Sequence, residues 1–411
     1  MNGRRRGRRC ARSTRSILLF CWLLGVVVVG TGTGCGRASQ TEGTDAALLE
    51  LVGFFQAELD SIRAENGFPG ATAAFILPDG RSASVATGVA DREANIPMRP
   101  DALMLAGSVG KSFVAAVALA LVGEGRLNLD AKVATWLGEA AWFPRLPNAE
   151  DVTLRMLLNH TSGIPEHYTT DGFARLVSNS LDSTNPQPEE CPPPEALVAN
   201  ILDIAPLFPC GEDFSYADTN YLLVGLIIQK VTGLSYNEEL RRRFLVPLGL
   251  VQTVPADRRR IPGLVPGYLA ADNLFNLPEK SLVESVLVLH PGLEWTGGGL
   301  ASNPRDLVRW AKVLYEGKVL AGSYLEDLLA GGKLVELSGQ SVRYGLGVMI
   351  QETALGPSYG HGGWFPGYHT IFAYYPKYRI AVAIQVNRDF QSGAKGAIPR
   401  LARVVLDNTI K

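Results

Sequence analysis

The chain has 411 residues, 46% of them hydrophobic, with 39 basic against 40 acidic side chains and a formal charge of −1. A chain of this size buries an ample apolar core without cross-links, and its balanced charge leaves no basic footprint for a nucleic acid. No internal repeat or long flexible interior linker divides it, so one unit of two intermixed lobes is expected.

Seven arginines and no acid occupy the first 34 residues, which leaves −8 for the remainder. They precede Ile17–Val29, an apolar run too short to span a bilayer and laid out like the apolar stretch of an export signal. The run leads to Gly32-Thr-Gly-Cys35, where small residues directly before a cysteine resemble a bacterial lipoprotein cleavage site. Residues 1–34 are therefore expected to be a leader, Cys35 the lipid-carrying mature N-terminus, residues 35–45 a tether and residues 46–411 the folded domain. Ordinary signal cleavage nearby is the alternative. Under both readings the protein is exported to the bacterial cell envelope or periplasm, and under the first it meets the membrane only through its lipid.

Ala46–Asn66 has the pattern of an amphipathic helix, and Thr72–Leu77 and Ser82–Thr87 are predicted strands joined across the turn Pro78-Asp-Gly-Arg81. In the run Leu105-Ala-Gly-Ser-Val-Gly-Lys-Ser112 that follows, Ser108 and Lys111 stand three apart, neighbours on a helix. An amine held there takes the proton of a hydroxyl that is otherwise a weak nucleophile. Phe113–Val122, apolar all round, predicts a buried helix with Ser108 at its N-terminus, where backbone N–H groups favour developing negative charge. Ser392 and Lys395 repeat the spacing but precede a short amphipathic stretch, so Ser392 reads as a helix cap. Two other readings compete for the first pair. Gly110-Lys111-Ser112 matches the end of a phosphate-binding loop, although its first glycine would fall on Leu105. Ala106-x-Ser108-x-Gly110 approximates a nucleophile elbow, which would use His361 as base.

Further along, residues 178–196 form the least ordered interior segment by composition and are a candidate for substrate selection. Phe214–Gly225 places Tyr216 just ahead of an apolar helix, and Tyr359–Gly367 is a glycine-rich approach to a strand. Tyr368–Tyr375 and Arg379–Val386 make a predicted hairpin across Pro376-Lys-Tyr, and Ile398–Leu406 closes the chain as a helix on the sheet.

Ser108-x-x-Lys111, Tyr216-Ala-Asp218 and His361-Gly-Gly363, in that order and with the runs Leu157–Ile164 and Trp295–Ser302, resemble the serine β-lactamase and penicillin-binding protein superfamily. The resemblance is to the branch of class C β-lactamases, D-alanyl-D-alanine carboxypeptidases and related esterases, and it covers the chain from about residue 50 to the C-terminus. It implies an α/β (α+β) fold of β-lactamase/transpeptidase type, an antiparallel sheet flanked by helices plus a mainly helical lobe. It further implies that Ser108 is acylated, that Lys111 takes or relays its proton, and that Tyr216 passes a proton to the leaving group and helps activate the deacylating water. His361 would position substrate or the tyrosine proton, and the backbone N–H groups of Ser108 and Trp364 would form the oxyanion hole. Gly362 and Gly363 allow a substrate close to the backbone. The expected function is an exported serine hydrolase of carboxypeptidase or esterase type, acting without cofactor on a small-molecule or peptidoglycan-peptide acyl substrate. The alternatives are a β-lactamase, an α/β-hydrolase with His361 as base, and a penicillin-binding sensor or scaffold that acylates without turnover.

One position departs from the family's pattern: asparagine is usual where this chain has Asp218. A carboxylate there either pairs with Lys111 and holds it charged, or caps the following helix. His160 is expected to have a packing role, while His167, His290 and His369 show no metal-ligand spacing, so no metal is expected. With Cys10 and Cys21 in the leader and Cys35 lipidated, Cys191 and Cys210 remain. They flank the predicted helix Glu195–Ala205 and are expected to form a disulfide in an oxidising compartment.

Overall fold

The structure, a computed structural model, describes residues 38–181, 191–320, 322–337, 339–389 and 396–409. The leader, Cys35 and the second Ser-x-x-Lys pair, Ser392 to Lys395, lie outside the described residues. The first helix, α1 (Ala38–Asn66), starts ahead of the expected Ala46 and ends at Asn66. Its Leu51, Phe55, Leu59 and Ile62 recur three or four residues apart and are buried, the stripe by which a helix lies on a sheet.

Among the described residues the largest sheet has nine strands. They are β1 (Gly70–Ile76), β2 (Ser82–Asp91), β3 (Ile96–Pro97), β4 (Leu334–Leu337), β5 (Gln340–Tyr344), β6 (Met349–Thr353), β7 (Gly356–Phe365), β8 (Tyr368–Tyr375) and β9 (Ile380–Val386). The order is β3-β2-β1-β9-β8-β7-β6-β5-β4, antiparallel throughout, so strands from both ends of the chain meet where β1 pairs with β9. Every residue of those two strands is buried, because both faces of the sheet are covered. On one face, α1 and the C-terminal helix α5 (Ala397–Thr409) close a core with Phe75, Val382 and Ile384. On the other lie the helical lobe and α4 (Pro304–Tyr315). This is the expected architecture, and Ala47–Lys411 forms one compact unit.

Between β3 and β4 the chain is mainly helical, and two helices there carry the site. In α2 (Gly110–Gly123), Lys111 through Leu121 are all buried. Trp310 of α4 fixes α2 in place: its ring stacks on Phe113 at 4.0 Å between centroids, and its Nε1–H donates to Ser112 Oγ at 2.9 Å. The second helix, α3 (Asp218–Thr232), ends at Gly233 in the left-handed conformation that favours glycine there.

Two expectations are corrected. Helix Glu195–Ala205 is shorter, Pro194–Val198 with a 3-10 turn to Ile201. Asp203 takes a positive φ of 62° and ion-pairs with Arg145, which turns the chain out of the helix. Cys191 and Cys210 are free thiols and form no disulfide. Their partners are different segments: Cys191 packs against Gly292, whereas the Cys210 thiol donates to the Ser162 carbonyl at 3.5 Å.

Candidate active site

Ser108 sits in the 3-10 turn Gly107–Val109 that leads into α2. Gly107 has a φ of 53°, and a Cβ there would lie 2.5 Å from the backbone nitrogen of Trp364 on β7. The glycine thus permits both the turn and the close approach of β7 to the nucleophile. A Cβ on Gly363 would overlap the Ala106 carbonyl for the same reason. Among the described residues, β7 beyond Gly360 has β8 on one side and no β6 partner on the other, so Gly362 to Trp364 present a strand edge beside Ser108.

Lys111 is fully buried, and its Nζ donates to Ser108 Oγ at 2.9 Å, Asp218 Oδ1 at 2.5 Å and the Gly297 carbonyl at 2.5 Å. Three acceptors for one nitrogen is the arrangement of an ammonium with every proton used. A buried ammonium needs an opposite charge, and Asp218 provides it. Asp218 is the first residue of α3, and the cap position belongs to Ala217. Burial pushes the Asp218 carboxyl up from its ordinary range while Lys111 pulls it down. Glu166 holds the start of α3: its Oε2 accepts from Asp218 N–H at 2.5 Å and its Oε1 meets His167 Nδ1 at 2.9 Å.

Tyr216 precedes α3, with its ring 4.9 Å from Lys111 Nζ and its hydroxyl buried beside Ser108. Burial, reinforced by the charge of Asp218, pushes this phenol well above its ordinary value, so it holds its proton. His160 packs on it with the rings tilted by 33° and 4.2 Å between centroids, and it accepts Ala217 N–H on Nδ1 at 3.2 Å. His160 therefore packs, and what it packs against is the tyrosine of the site.

His361 lies on β7, and burial, helped by the Lys111 charge, lowers its pKa to about 3, so the ring is neutral. Its Nδ1 meets the Gly362 carbonyl at 2.5 Å and its Nε2 meets the Tyr344 hydroxyl at 2.7 Å. A carbonyl only accepts, so Nδ1 carries the proton and Tyr344 donates to Nε2. Ser108 is bonded to Lys111, and His361 to Tyr344 and Gly362; this is not the pairing of an α/β-hydrolase. Trp364, 37% exposed, donates from Nε1 to Asp389 at 3.1 Å.

A cavity of about 760 Å³ opens over Ser108, Tyr216, Asp218, His361 and Trp364 and continues along β7 and β8 to the start of α5. Its lining includes Glu294, which the sequence reading missed along with Glu166, Tyr344 and the Gly297 carbonyl. The available signal was the glycine run after Trp295, read there as non-catalytic; it bends the chain so that a carbonyl faces Lys111.

A family model described as Beta-lactamase matches residues 55–406. The chain belongs to the beta-lactamase family. Penicillin-binding protein 4 of Amycolatopsis lactamdurans is 28% identical over 352 residues, covering 81% of this chain and 84% of that relative. Among solved structures, a D-stereospecific amidohydrolase from Streptomyces sp. is 27% identical with a TM-score of 0.70, covering 87% of this chain and 98% of that one. D-amino acid amidase from Ochrobactrum anthropi SV3, complexed with D-phenylalanine, is 25% identical with a TM-score of 0.72 over 87% and 99% of the two chains. This beta-lactamase family member thus shares its fold with an amidohydrolase and an amidase and is similar in sequence to a penicillin-binding protein.

Proposed function

We propose that the chain is an exported hydrolase that forms an acyl-enzyme on Ser108 and cleaves small aminoacyl amides and esters. The observation that carries this reading is the Lys111 Nζ to Ser108 Oγ bond at the mouth of the cavity. Ser108 Oγ attacks the carbonyl carbon as its proton passes to Lys111, and Lys111 gives one of its own to Asp218 along their 2.5 Å contact. The burial that raises the Asp218 carboxyl makes it a competent acceptor. The tetrahedral oxyanion lies against the N–H groups of Ser108 and Trp364, and fixed donors of this kind are worth about 3 to 4 kcal/mol each. The C–N or C–O bond then breaks as the Tyr216 phenol protonates the leaving group, and the proton on Asp218 returns through Lys111 to restore the phenol. Water attacks the ester, losing one proton toward the same network, and Ser108 departs as the hydroxyl.

The similarity to an amidohydrolase and an amidase supports amide substrates. The carboxypeptidase and β-lactamase readings require a site for the substrate's carboxylate. Among the described residues lining the cavity there is no lysine or arginine to meet one, and neutral His361 supplies no charge. A fluorophosphonate should label wild type and leave Ser108→Ala unlabelled, and phenylalaninamide should turn over faster than a D-alanyl-D-alanine peptide. Labelling at another residue, or preference for the peptide, would sink the proposal. A stable adduct with a hydrolysable ester would replace it by the non-turnover sensor. We propose in addition that lipid on Cys35 holds the enzyme at the envelope; Cys35→Ala should then move it from the membrane to the soluble fraction.

A further inference from the structure

Around the nucleophile, two carboxyl groups are already engaged. Asp218 is held by Lys111, and Glu166 by Asp218 N–H, Tyr168 N–H and His167. Glu294 is different: it is half-buried, lines the same cavity as Ser108, and its carboxyl bonds to none of the described residues. Its place is fixed by the backbone, since Glu294 N–H donates to Pro291 O at 3.2 Å and its carbonyl accepts Gly297 N–H at 2.6 Å. Gly297 in turn binds Lys111, so Glu294 stands one short turn from the catalytic amine. An uncommitted carboxyl in a part-desolvated pocket is costly unless something binds it.

We propose that the Glu294 carboxyl is the docking point for a cationic amino group on the acyl side of the substrate, an inference that rests on the aminoacyl reading above. The surroundings fit such a molecule. Phe173, Phe275 and Trp364 form an aromatic row, with centroids 6.0 Å and 6.4 Å apart, and Leu289 and Leu293 extend the apolar wall. A substrate with an ammonium and an apolar side chain on one carbon places the first on Glu294 and the second on this wall. Its carbonyl is then left for Ser108. Burial, and the Asp218 charge after it, push the Glu294 carboxyl well above its ordinary value, so in the empty pocket it holds its proton, and an arriving ammonium supplies the opposite charge that lets it ionise. An N-acylated ligand brings none.

The test is calorimetric binding in a Ser108→Ala background, where nothing turns over, using phenylalaninamide and N-acetylphenylalaninamide. Glu294→Gln should weaken phenylalaninamide at least about tenfold, the loss of a charge-assisted bond, and leave the N-acetyl ligand within about twofold. Glu294→Asp, which keeps the charge, should retain a preference for the free amine. Equal weakening of both ligands, no weakening of either, or no binding of phenylalaninamide before substitution would each overturn the assignment. Circular dichroism of each variant shows whether it has folded. Fluorophosphonate labelling of the wild type is a separate readout, so failure of the acyl-enzyme reading is distinguishable from failure of this one.

Discussion

Asp218→Asn separates two ways in which Ser108 can lose its proton. In the wild-type pair, Lys111 passes a proton to Asp218 as it receives one from Ser108, so no proton has to leave for solvent and acylation is expected to be flat across neutral pH. Asparagine accepts no proton. The variant must first release the Lys111 proton to water, so its kcat/KM should climb with pH, about tenfold per unit, until the amine is neutral. The size of the second effect follows from the contact. Two unit charges 2.5 Å apart attract by about 7 kcal/mol at an effective dielectric of about 20. Without that support the buried ammonium is much less stable, which favours the loss of its proton in the variant. The assay is the burst of p-nitrophenol from a neutral ester between about pH 5 and 9, with circular dichroism at each point. A profile superimposable on wild type, or a faster variant whose acid limb has moved to lower pH, would refute the relay. Asp218 would then only hold Lys111 charged.

His361 is neutral in the folded protein down to about pH 3, whereas an unfolded imidazole protonates near about 6.5. Its contribution to stability is therefore full above about pH 6.5 and lost as pH falls toward 3, at about 1.36 kcal/mol per unit; His361→Gln should lose less stability between about pH 7 and 4.5 in urea unfolding, and identical losses would contradict this. Gly363→Ala forces a Cβ onto the Ala106 carbonyl and to 2.9 Å from Ser108 N, whereas a Cβ on Gly362 meets nothing within 4 Å. Acylation should fall at least about a hundredfold in Gly363→Ala, with Gly362→Ala less affected, and similar burst rates in both would count against the oxyanion geometry. Because Cys191 and Cys210 are free, the melting temperature should be the same with and without reductant, and a drop on reduction would reveal a bridge.

Local pattern was enough for much of the chain. Short apolar runs bounded by turn signals mark β1, β2, β8 and β9, an all-apolar run marks α2, and a three-residue spacing puts Ser108 beside Lys111, because each signal lies within a few residues of sequence. Tyr216 and His361 were legible through the order of motifs. What the sequence left open was which distant groups converge. Asp218 read equally well as a helix cap or an ion-pair partner, and only packing α3 against α2 brought its carboxylate to Lys111 across 107 residues. The Gly297 carbonyl reaches the same nitrogen across 186 residues, and no periodicity records a backbone oxygen. The cysteine pair failed for the converse reason: two cysteines left over by elimination need not be near in space, and the short helix between them turns out early and sends each thiol to a different neighbour. Composition and spacing determine which chemistry is present, whereas the charge balance around Ser108, including the uncommitted Glu294, is set by long-range packing that places each carboxyl in or out of reach of the buried Lys111 ammonium.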